Sequence, residues 1–215
     1  MTSLAVLSLT DSLTKVLRTR IIEGDLGPGD GLAEAGLAEQ YDVARPTAKA
    51  AIERLVSEGL LERGAHKTAR VPVMTLARIG DMYFARKLVE CQAYRLLAER
   101  RLIPDEAVRA NENLRAAAES GALTDLLDSD VCFHRSLIDT LASPRITRVH
   151  RMMINEMRLC LVQVQSHKLL DPLIIANEHA GILDAISDGD EDLAAERGRA
   201  HLDLAVGRLT RYLTE

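Results

Sequence analysis

The chain has 215 residues, enough for one large domain or two small domains with a hydrophobic core. Aromatic residues make up only 3% of it and tryptophan is absent, which argues against an aromatic ligand cage or a base-stacking platform for single strands. The net charge of −5 argues against nucleic-acid binding, because DNA is negatively charged. Only a local cluster of basic residues could support DNA binding.

The cysteines and the apolar segments indicate the compartment. Cys91, Cys132 and Cys160 are far apart and form no CxxC pair, so we expect reduced thiols. The first ten residues contain no basic leader, and no apolar run approaches the roughly 18 residues that a membrane span needs. We therefore expect a soluble cytoplasmic protein that does not contact a membrane.

Three short helices are predicted near the N-terminus. The first begins at a cap by Thr10 or Asp11 and ends at Gly24, because the apolar residues between them recur at helical spacing. A turn rich in glycine and proline follows. The second helix is predicted over 33–41, and the third begins near Arg45 with a proline at an early position, where its missing N–H costs nothing.

A β-hairpin is predicted after the third helix, which ends at Gly59. Residues 60–63 and 69–71 have the pattern of two short strands, and His66 and Lys67 lie in the turn between them. Three helices and a hairpin within about 65 residues fit a winged helix-turn-helix, whose recognition helix enters the major groove of DNA. His66 and Lys67 are then candidate contacts of the wing tip to the DNA backbone or minor groove.

Basic residues concentrate in this region although the whole chain is acidic. Between Val43 and Val71 six basic residues accompany three acidic ones, a local balance of +3. Arg45, at the start of the recognition helix, can reach guanine O6 and N7 with two hydrogen bonds. Lys49, one turn later, is predicted to bind a phosphate, and Thr47 between them is a further candidate DNA contact. The alternative is that these residues form an ordinary solvated helix face.

The rest of the chain has helical periodicity throughout. After a short linker at 71–74, Thr75 can cap the first of six helices. These helices are predicted over 76–101, 104–118, 123–141, 144–166, 172–187 and 190–213. The predicted fold is therefore mainly α, with an N-terminal winged helix-turn-helix domain over 1–74 and a C-terminal all-α six-helix bundle over 75–215.

Four residues of the C-terminal part form a candidate metal site. Asp130 and His134 are four residues apart on one helix face, and His179 and His201 lie on two later helices. Three imidazoles and one carboxylate suit a divalent transition metal such as Zn²⁺, Ni²⁺ or Mn²⁺, and packed helices can bring such ligands to one point. The alternative is a surface Asp/His pair with structural histidines, and His150 is a histidine outside the set.

Three segments of the N-terminal part occur in a characteristic order: LGPGDGL at 26–32, LAEQYDVAR at 37–45 and AIERLVSEGLL at 51–61. Over about residues 12–72 they resemble the GntR family of bacterial regulators. The resemblance implies a homodimer that binds a short palindromic operator in double-stranded DNA. Lys49 and several of its neighbours differ from the usual residues of that family, so the operator sequence is not predicted.

Two segments of the C-terminal part, DVCFH at 130–134 and EHAGILDAI at 178–186, followed by His201, resemble the helical FCD-type domain of the FadR subfamily of GntR regulators. The resemblance implies that this domain dimerises, binds an effector and holds a metal on the four residues above. It also implies that Arg86 points into the effector cavity. The alternative for Arg86 is an exposed salt bridge with Glu90, one turn further on.

The predicted function is a DNA-binding transcriptional regulator, and specifically a repressor, rather than an enzyme. A metal with three histidines and one aspartate keeps open positions for a carboxylate, and an arginine can bind that carboxylate as well. The implied effector is therefore a small organic acid. The alternatives are a metal-free regulator that responds to an acyl ligand, a metalloenzyme and an architectural DNA-binding protein without an effector.

Overall fold

A computed structural model of the protein describes residues 8–63, 68–120, 123–163 and 171–214. Contacts within the chain divide it into two compact units, Met1–Met74 and Thr75–Glu215. The described part is mainly α-helical and has only three short strands. This confirms the predicted fold class, a winged helix-turn-helix followed by an all-α bundle.

The N-terminal unit contains three helices and a small antiparallel sheet. In chain order its elements are α1 (Leu9–Ile22), β1 (Gly31–Leu32), α2 (Glu34–Gln40), α3 (Arg45–Ser57), β2 (Glu62–Arg63) and β3 (Ala69–Arg70). The strand order is β1-β3-β2, with Arg70 opposite both Gly31 and Glu62. The sequence predicted β2 and β3 but not β1, because a two-residue strand has no alternation of its own and pairs only with a strand far along the chain.

The ends of the helices follow from local chemistry. Helix α1 begins earlier than predicted, because the Ser8 side chain and Asp11 form a reciprocal capping box. In α3, Pro46 lies in the first turn as predicted, and Gly59 after its last turn adopts a φ of 77° that favours glycine. Thr75 caps α4 by accepting a hydrogen bond from the Arg78 backbone N–H.

The three N-terminal helices share one apolar core. Helices α1 and α2 both pack against α3, and Leu17, Ile52 and Leu55 are completely buried there. Arg18 of α1 donates from Nε and Nη2 to the carboxylate of Glu58, just after α3, at 3.0 and 2.8 Å. These contacts hold α3 in place while its outer face stays in solvent.

Six helices make up the described part of the C-terminal unit. They are α4 (Leu76–Glu99), α5 (Asp105–Ser120), α6 (Leu123–Asp139), α7 (Pro144–Gln163), α8 (Pro172–Asp188) and α9 (Glu191–Thr214). All six predicted helices are present. Their ends shift by up to two residues, and the predicted end of the fourth helix at 166 lies outside the described residues. Such shifts are normal, because helix ends fray and the last turn contributes little to periodicity.

Helix α4 lies at the centre of this unit and packs against α6, α7, α8 and α9. Its Tyr94 and Leu97 belong to the same buried cluster as Phe133 of α6 and Ile182 of α8. Helix α9 approaches α4 closely at Gly198, where an added Cβ would lie 2.5 Å from the Tyr94 ring. Because α4 packs against α6, α8 and α9, polar residues of all four helices meet in the interior of this unit.

Among the described helices, none is both long enough and apolar enough to cross a membrane.

Candidate metal centre and DNA-binding surface

Helix α3 presents the predicted DNA contacts at its N-terminal end. Arg45 and Lys49 are exposed one turn apart, and Thr47 between them is half-buried. The predicted wing contacts, His66 and Lys67, lie outside the described residues. An exposed pair of cations on the first two turns of a recognition helix can reach base edges and phosphates in a major groove.

Two other basic residues of the local patch have partners within the N-terminal unit. Arg54 forms an ion pair with Asp11, and Arg63 bonds to Glu53 and Glu34. These contacts connect α1, α2, α3 and the hairpin. Arg54 and Arg63 therefore help to orient the fold, which the count of charges along the sequence could not reveal.

The four predicted metal ligands meet inside the C-terminal unit. Asp130 and His134 lie on α6, His179 on α8 and His201 on α9, and all four are buried. One ligand atom from each lies within 4.8 Å of the other three. The Nε2 atoms of His134 and His201 are 3.3 Å apart, and Asp130 Oδ1 is 3.5 Å from His179 Nε2.

The two shorter distances, 3.3 and 3.5 Å, are close to those between two ligand atoms of one metal ion, whereas His134 Nε2 and Asp130 Oδ1 are 3.9 Å apart and would move closer together around an ion. Ligand atoms that each lie about 2.1 Å from one ion, at angles between tetrahedral and octahedral values, are roughly 3.0–3.4 Å from one another. The protonation states also fit, because metal-binding histidines must be neutral. Burial lowers the pKa of His134, and burial together with the neighbouring His201 and His134 rings holds the pKa of His179 well below its usual range.

The surroundings of His179 favour a bound group at this point. Its ring stacks on Phe133 with a centroid distance of 3.7 Å and an interplanar angle of 5°. Both of its ring nitrogens are buried and have no hydrogen-bond partner in the described part of the chain. An unsatisfied buried polar atom costs about 1–3 kcal/mol, and a metal ion on Nε2 would remove that cost for one of the two nitrogens.

Glu90 on α4 orients the first of the other two imidazoles. Its Oε2 lies 2.9 Å from His134 Nδ1 and also accepts a hydrogen bond from the Tyr94 hydroxyl at 2.9 Å. A carboxylate on Nδ1 places the ring hydrogen there and leaves the lone pair of Nε2 facing the cluster. Burial by itself raises the pKa of Glu90, but Arg86 and His134 oppose it, and the pKa lies well below the usual range.

Glu178 on α8 orients the second imidazole in the same way. Its Oε2 lies 2.8 Å from His201 Nδ1, and its Oε1 accepts a hydrogen bond from Arg208 Nη2 at 2.7 Å. Partial burial raises the pKa of Glu178, but the hydrogen bonds from His201 and Arg208 outweigh this and lower it. Two histidines of the cluster thus each have a glutamate behind them, an arrangement typical of metal-binding imidazoles.

Arg86 is buried beside the cluster, with 1% of its surface exposed. Its Nε donates to Glu90 Oε1 at 2.6 Å, and its Nη1 lies 2.9 Å from the thioether sulfur of Met157. The ion pair with Glu90, which the alternative interpretation of Arg86 required, is present, but the exposure that this alternative implied is wrong. The pair is buried because α4 is the central helix, and its Arg86 face points inward.

A cavity opens directly beside three of the four ligands, Asp130, His134 and His201. It is lined by polar residues of the cluster and by apolar side chains: Tyr83, Arg86, Asp130, His134, Met157, Leu161, Ile175, His201, Ala205 and Arg208. Its volume of about 20 Å³ is enough for roughly one water molecule. The four residues could therefore hold a metal ion, and the cavity beside them has room for one very small ligand of that ion.

Several residues of this site were not identified from the sequence. They are Glu90, Tyr94, Glu178 and Arg208. A signal exists for three of them: Glu90 and Tyr94 follow Arg86 at intervals of four residues, and Arg208 follows His201 by seven, so each set shares a helix face. Glu178 directly precedes His179 in the chain, which gives no indication that it contacts His201. The same intervals occur on solvated helix faces, so they identify candidates only once a neighbouring helix is known.

Two family models match this chain. One, described as the FCD domain, matches residues 81–204, and the other, described as bacterial regulatory proteins of the gntR family, matches residues 9–71. The Nta operon transcriptional regulator of Aminobacter aminovorans is 28% identical over 178 residues, which are 81% of this chain and 82% of that protein. The transcriptional repressor RspR of Escherichia coli K12 is 22% identical over 208 residues, covering 90% and 86% of the two chains.

Solved structures with the same architecture cover nearly the full chain. A GntR-type transcriptional regulator from Rhodococcus sp. RHA1 superposes with a TM-score of 0.80 at 25% identity, covering 95% of this chain and 98% of that one. The E. coli protein McbR/YncC superposes with a TM-score of 0.75 at 19% identity, covering 96% and 99%. The second similarity concerns the fold alone.

Proposed function

Because the chain belongs to the GntR family of bacterial transcriptional regulators and carries an FCD domain, we propose that it is a repressor controlled by a small organic acid at a metal site. Its role as a DNA-binding transcriptional regulator follows from the family and from relatives that are regulators. The metalloenzyme alternative is set aside for the same reason. Within the proposal, the protein acts in the cytoplasm as a homodimer on a short palindromic operator.

The main support for a metal site is that four buried ligand atoms lie within 4.8 Å of one another. Asp130, His134, His179 and His201 supply one oxygen and three nitrogens, a set that suits Zn²⁺, Ni²⁺ or Mn²⁺. A bound divalent ion would supply a Lewis-acid position to which a carboxylate oxygen can coordinate. The chain itself orients two of the imidazoles through glutamates.

Arg86 supports an acidic effector. It lines the same cavity, and its Nη1 donates to the thioether of Met157, which is a weak acceptor. A carboxylate is a far stronger acceptor for a guanidinium, so an organic acid entering the cavity would take this N–H from Met157. The acid would then be held between Arg86 and the metal position.

The acyl-ligand alternative has less support from the same cavity. A cavity of about 20 Å³ has no room for a long hydrocarbon chain, since ligand pockets usually measure roughly 300–1,000 Å³. An acyl ligand would also leave the buried imidazole of His179 without a partner. We therefore favour a short acid over an acyl chain.

The test is release of DNA by an acid in the presence and absence of metal. The purified protein, loaded with Zn²⁺, would first select its operator from a pool of random duplexes. Its affinity for that duplex would then be measured with acetate or lactate, before and after removal of metal with a chelator. A coupling free energy between sites is typically about 1–3 kcal/mol, so we expect a 5- to 150-fold loss of affinity with acid only in the loaded protein.

Two outcomes would contradict the proposal. If the protein binds its operator equally with and without both metal and acid, it acts as a constitutive DNA-binding protein. If acids release DNA equally well after the metal has been removed, the four-residue cluster is not the sensor. His179→Ala serves as a matched control, because it removes one ligand without touching Arg86 or the DNA-binding unit.

A further inference from the structure

Two arginines of the described residues line the cavity, Arg86 on α4 and Arg208 on α9, and Arg208 has a buried nitrogen donor without an acceptor. It lines the cavity together with Asp130 and His201. Its Nη2 donates to Glu178 Oε1 at 2.7 Å, whereas its Nη1 is buried and has no acceptor in the described part of the chain. A buried guanidinium N–H without an acceptor is costly, so this atom favours an anionic ligand in the cavity.

The donors of Arg86 are more fully used. Its Nε and Nη2 both donate to Glu90, at 2.6 and 3.3 Å, and its Nη1 donates to Met157. Glu90 in turn is buried completely and bonded to His134, Tyr94 and His150. Each nitrogen of the Arg86 guanidinium thus already has an acceptor, and its two bonds to Glu90 limit its rotation. A ligand would bind Arg86 at Nη1, where the present acceptor is the weak thioether of Met157.

The charges around the cavity point to the class of anion. The ion pairs Arg86–Glu90 and Arg208–Glu178 each have no net charge. The remaining charge among these groups is the negative charge of the Asp130 carboxylate. With a divalent ion on the four ligands, the site has a net charge of +1, which one monoanion neutralises. A second carboxylate would introduce an uncompensated charge at a buried position, which is strongly unfavourable.

The apolar part of the lining limits the body of that anion. Leu161, Ile175 and Ala205 line the cavity beside the charged groups. These side chains offer no hydrogen bonds, so they suit hydrogen or short alkyl substituents. With a cavity volume of about 20 Å³, even a small acid must push them aside as it enters.

We infer that Arg208 is a second effector-binding residue, and that the effector is a short monocarboxylic acid whose carboxylate accepts the N–H of Arg208 Nη1. This inference rests on the proposed metal-dependent function and adds to it the anchor and the charge of the ligand. Arg86 and Arg208 then hold the carboxylate from α4 and α9. Arg208 also bonds to Glu178, and Glu178 orients the metal ligand His201. A bound acid is therefore linked to His201 through Arg208 and Glu178.

The test uses the full-length protein loaded with Co²⁺, whose visible absorption changes when a carboxylate enters its coordination sphere. Acetate would be titrated into the wild type and into Arg208→Gln, with Arg199→Gln as a control. Arg199 is an exposed arginine on the same helix and does not line this cavity. We expect Arg208→Gln to weaken acetate binding about 10- to 100-fold, and Arg199→Gln to leave it unchanged.

A second variant distinguishes a direct contact from an indirect effect through Glu178. Glu178→Gln removes the carboxylate behind His201 and keeps Arg208, so it should weaken Co²⁺ binding about 10- to 100-fold. Arg208→Gln should instead retain stoichiometric Co²⁺ with a much smaller loss of metal affinity. If Arg208→Gln loses metal affinity as severely as Glu178→Gln, or binds acetate as tightly as the wild type, Arg208 is not an effector contact.

The charge of the ligand is tested with butyrate and succinate, which have four carbons each and differ in the second carboxylate. We expect butyrate to bind the Co²⁺-loaded wild type more tightly than succinate, and tighter binding of succinate would overturn the assignment to monocarboxylic acids. A wild type that binds no metal, or that binds acetate equally without metal, would instead refute the proposed function on which this inference rests. The two failures are therefore distinguishable.

Discussion

The Nε2 atoms of His134 and His201 lie 3.3 Å apart in the interior of the C-terminal unit. The opposite nitrogen of each ring, Nδ1, has a glutamate carboxylate beside it, Glu90 for His134 and Glu178 for His201. With both ring hydrogens directed to the carboxylates, the two Nε2 atoms face each other as lone pairs. Two facing lone pairs repel, and a cation between them converts this repulsion into binding.

Metal should therefore stabilise the protein, and His179→Ala should abolish this effect. A metal ion that binds only the folded state, at a free concentration 100 times its dissociation constant, adds about 2.7 kcal/mol to the free energy of unfolding. For a unit of this size this raises the melting temperature by roughly 5–10 °C. Calorimetry with Zn²⁺ and with a chelator measures the difference. Asn111→Ala is the control, because Asn111 is also buried but lies outside the four ligands and donates to the Ala176 carbonyl instead. Full metal stoichiometry in His179→Ala would show that the ligands are misassigned.

Glu90→Gln should destabilise the protein and weaken metal binding together. It leaves the buried guanidinium of Arg86 without its counter-charge, which costs about 3–5 kcal/mol, and it removes the carboxylate behind His134, which lowers metal affinity about 10- to 100-fold. Urea denaturation and metal competition provide the two measurements. The control is Asp203→Asn in the exposed pair with Lys87, which should cost less than about 1 kcal/mol. Equal effects of the two substitutions would mean that burial of Arg86–Glu90 has no energetic consequence.

Arg45→Ala should remove the preference for the operator and preserve the fold. Arg45 is exposed on the first turn of α3, where a bidentate contact to guanine is worth roughly 1–3 kcal/mol per half-site. A dimer should lose this contribution twice. The measurement is the specificity ratio, which is the affinity for the selected operator divided by the affinity for random duplex at the same salt concentration. A ratio equal to that of the wild type would exclude Arg45 as a base-reading residue.

Lys49→Ala should weaken binding to all DNA sequences alike. Lys49 is exposed one turn after Arg45, and a lysine bound to phosphate releases counterions when the complex forms. The slope of log affinity against log salt should fall by about 0.9 for each phosphate that the variant no longer neutralises. Titrations over a range of salt concentrations measure this slope. A weakening confined to the operator, with an unchanged slope, would contradict a phosphate contact.

Gly198→Ala should destabilise the C-terminal unit. The added Cβ would lie 2.5 Å from the Tyr94 ring at the contact between α9 and α4, and such overpacking typically costs about 1–3 kcal/mol. Gly207→Ala on the same helix is the matched control, because no atom of another element in the described part of the chain lies within 4 Å of its added Cβ. That change should stabilise the helix by about 0.5–1 kcal/mol. Thermal unfolding of both variants tests whether their melting temperatures change in opposite directions. If Gly198→Ala also raised the melting temperature, α9 and α4 could move apart at no cost.

The sequence by itself determined the fold class and most element positions of this protein. Apolar periodicity predicted the helices, because a helix that buries one face must repeat apolar residues every three to four positions. Proline and glycine marked several helix ends, such as the first turn of α3 at Pro46 and its end at Gly59, because their backbone preferences are local. Strand β1 was missed, since the strand with which it pairs, β3, is distant in the chain.

The sequence also nominated Asp130, His134, His179 and His201, since the spacing and identity of these residues are visible without a structure. Only the tertiary structure decided what surrounds them. Glu90, Glu178 and Arg208 are ordinary charged residues at helical spacing, and their contacts depend on which faces of α4, α8 and α9 turn inward. Arg86 and Glu90 fit a solvated pair equally well, and their burial follows from the central position of α4. Local periodicity specifies which face of a helix is apolar, but the partner of a polar group within that face depends on how distant helices pack.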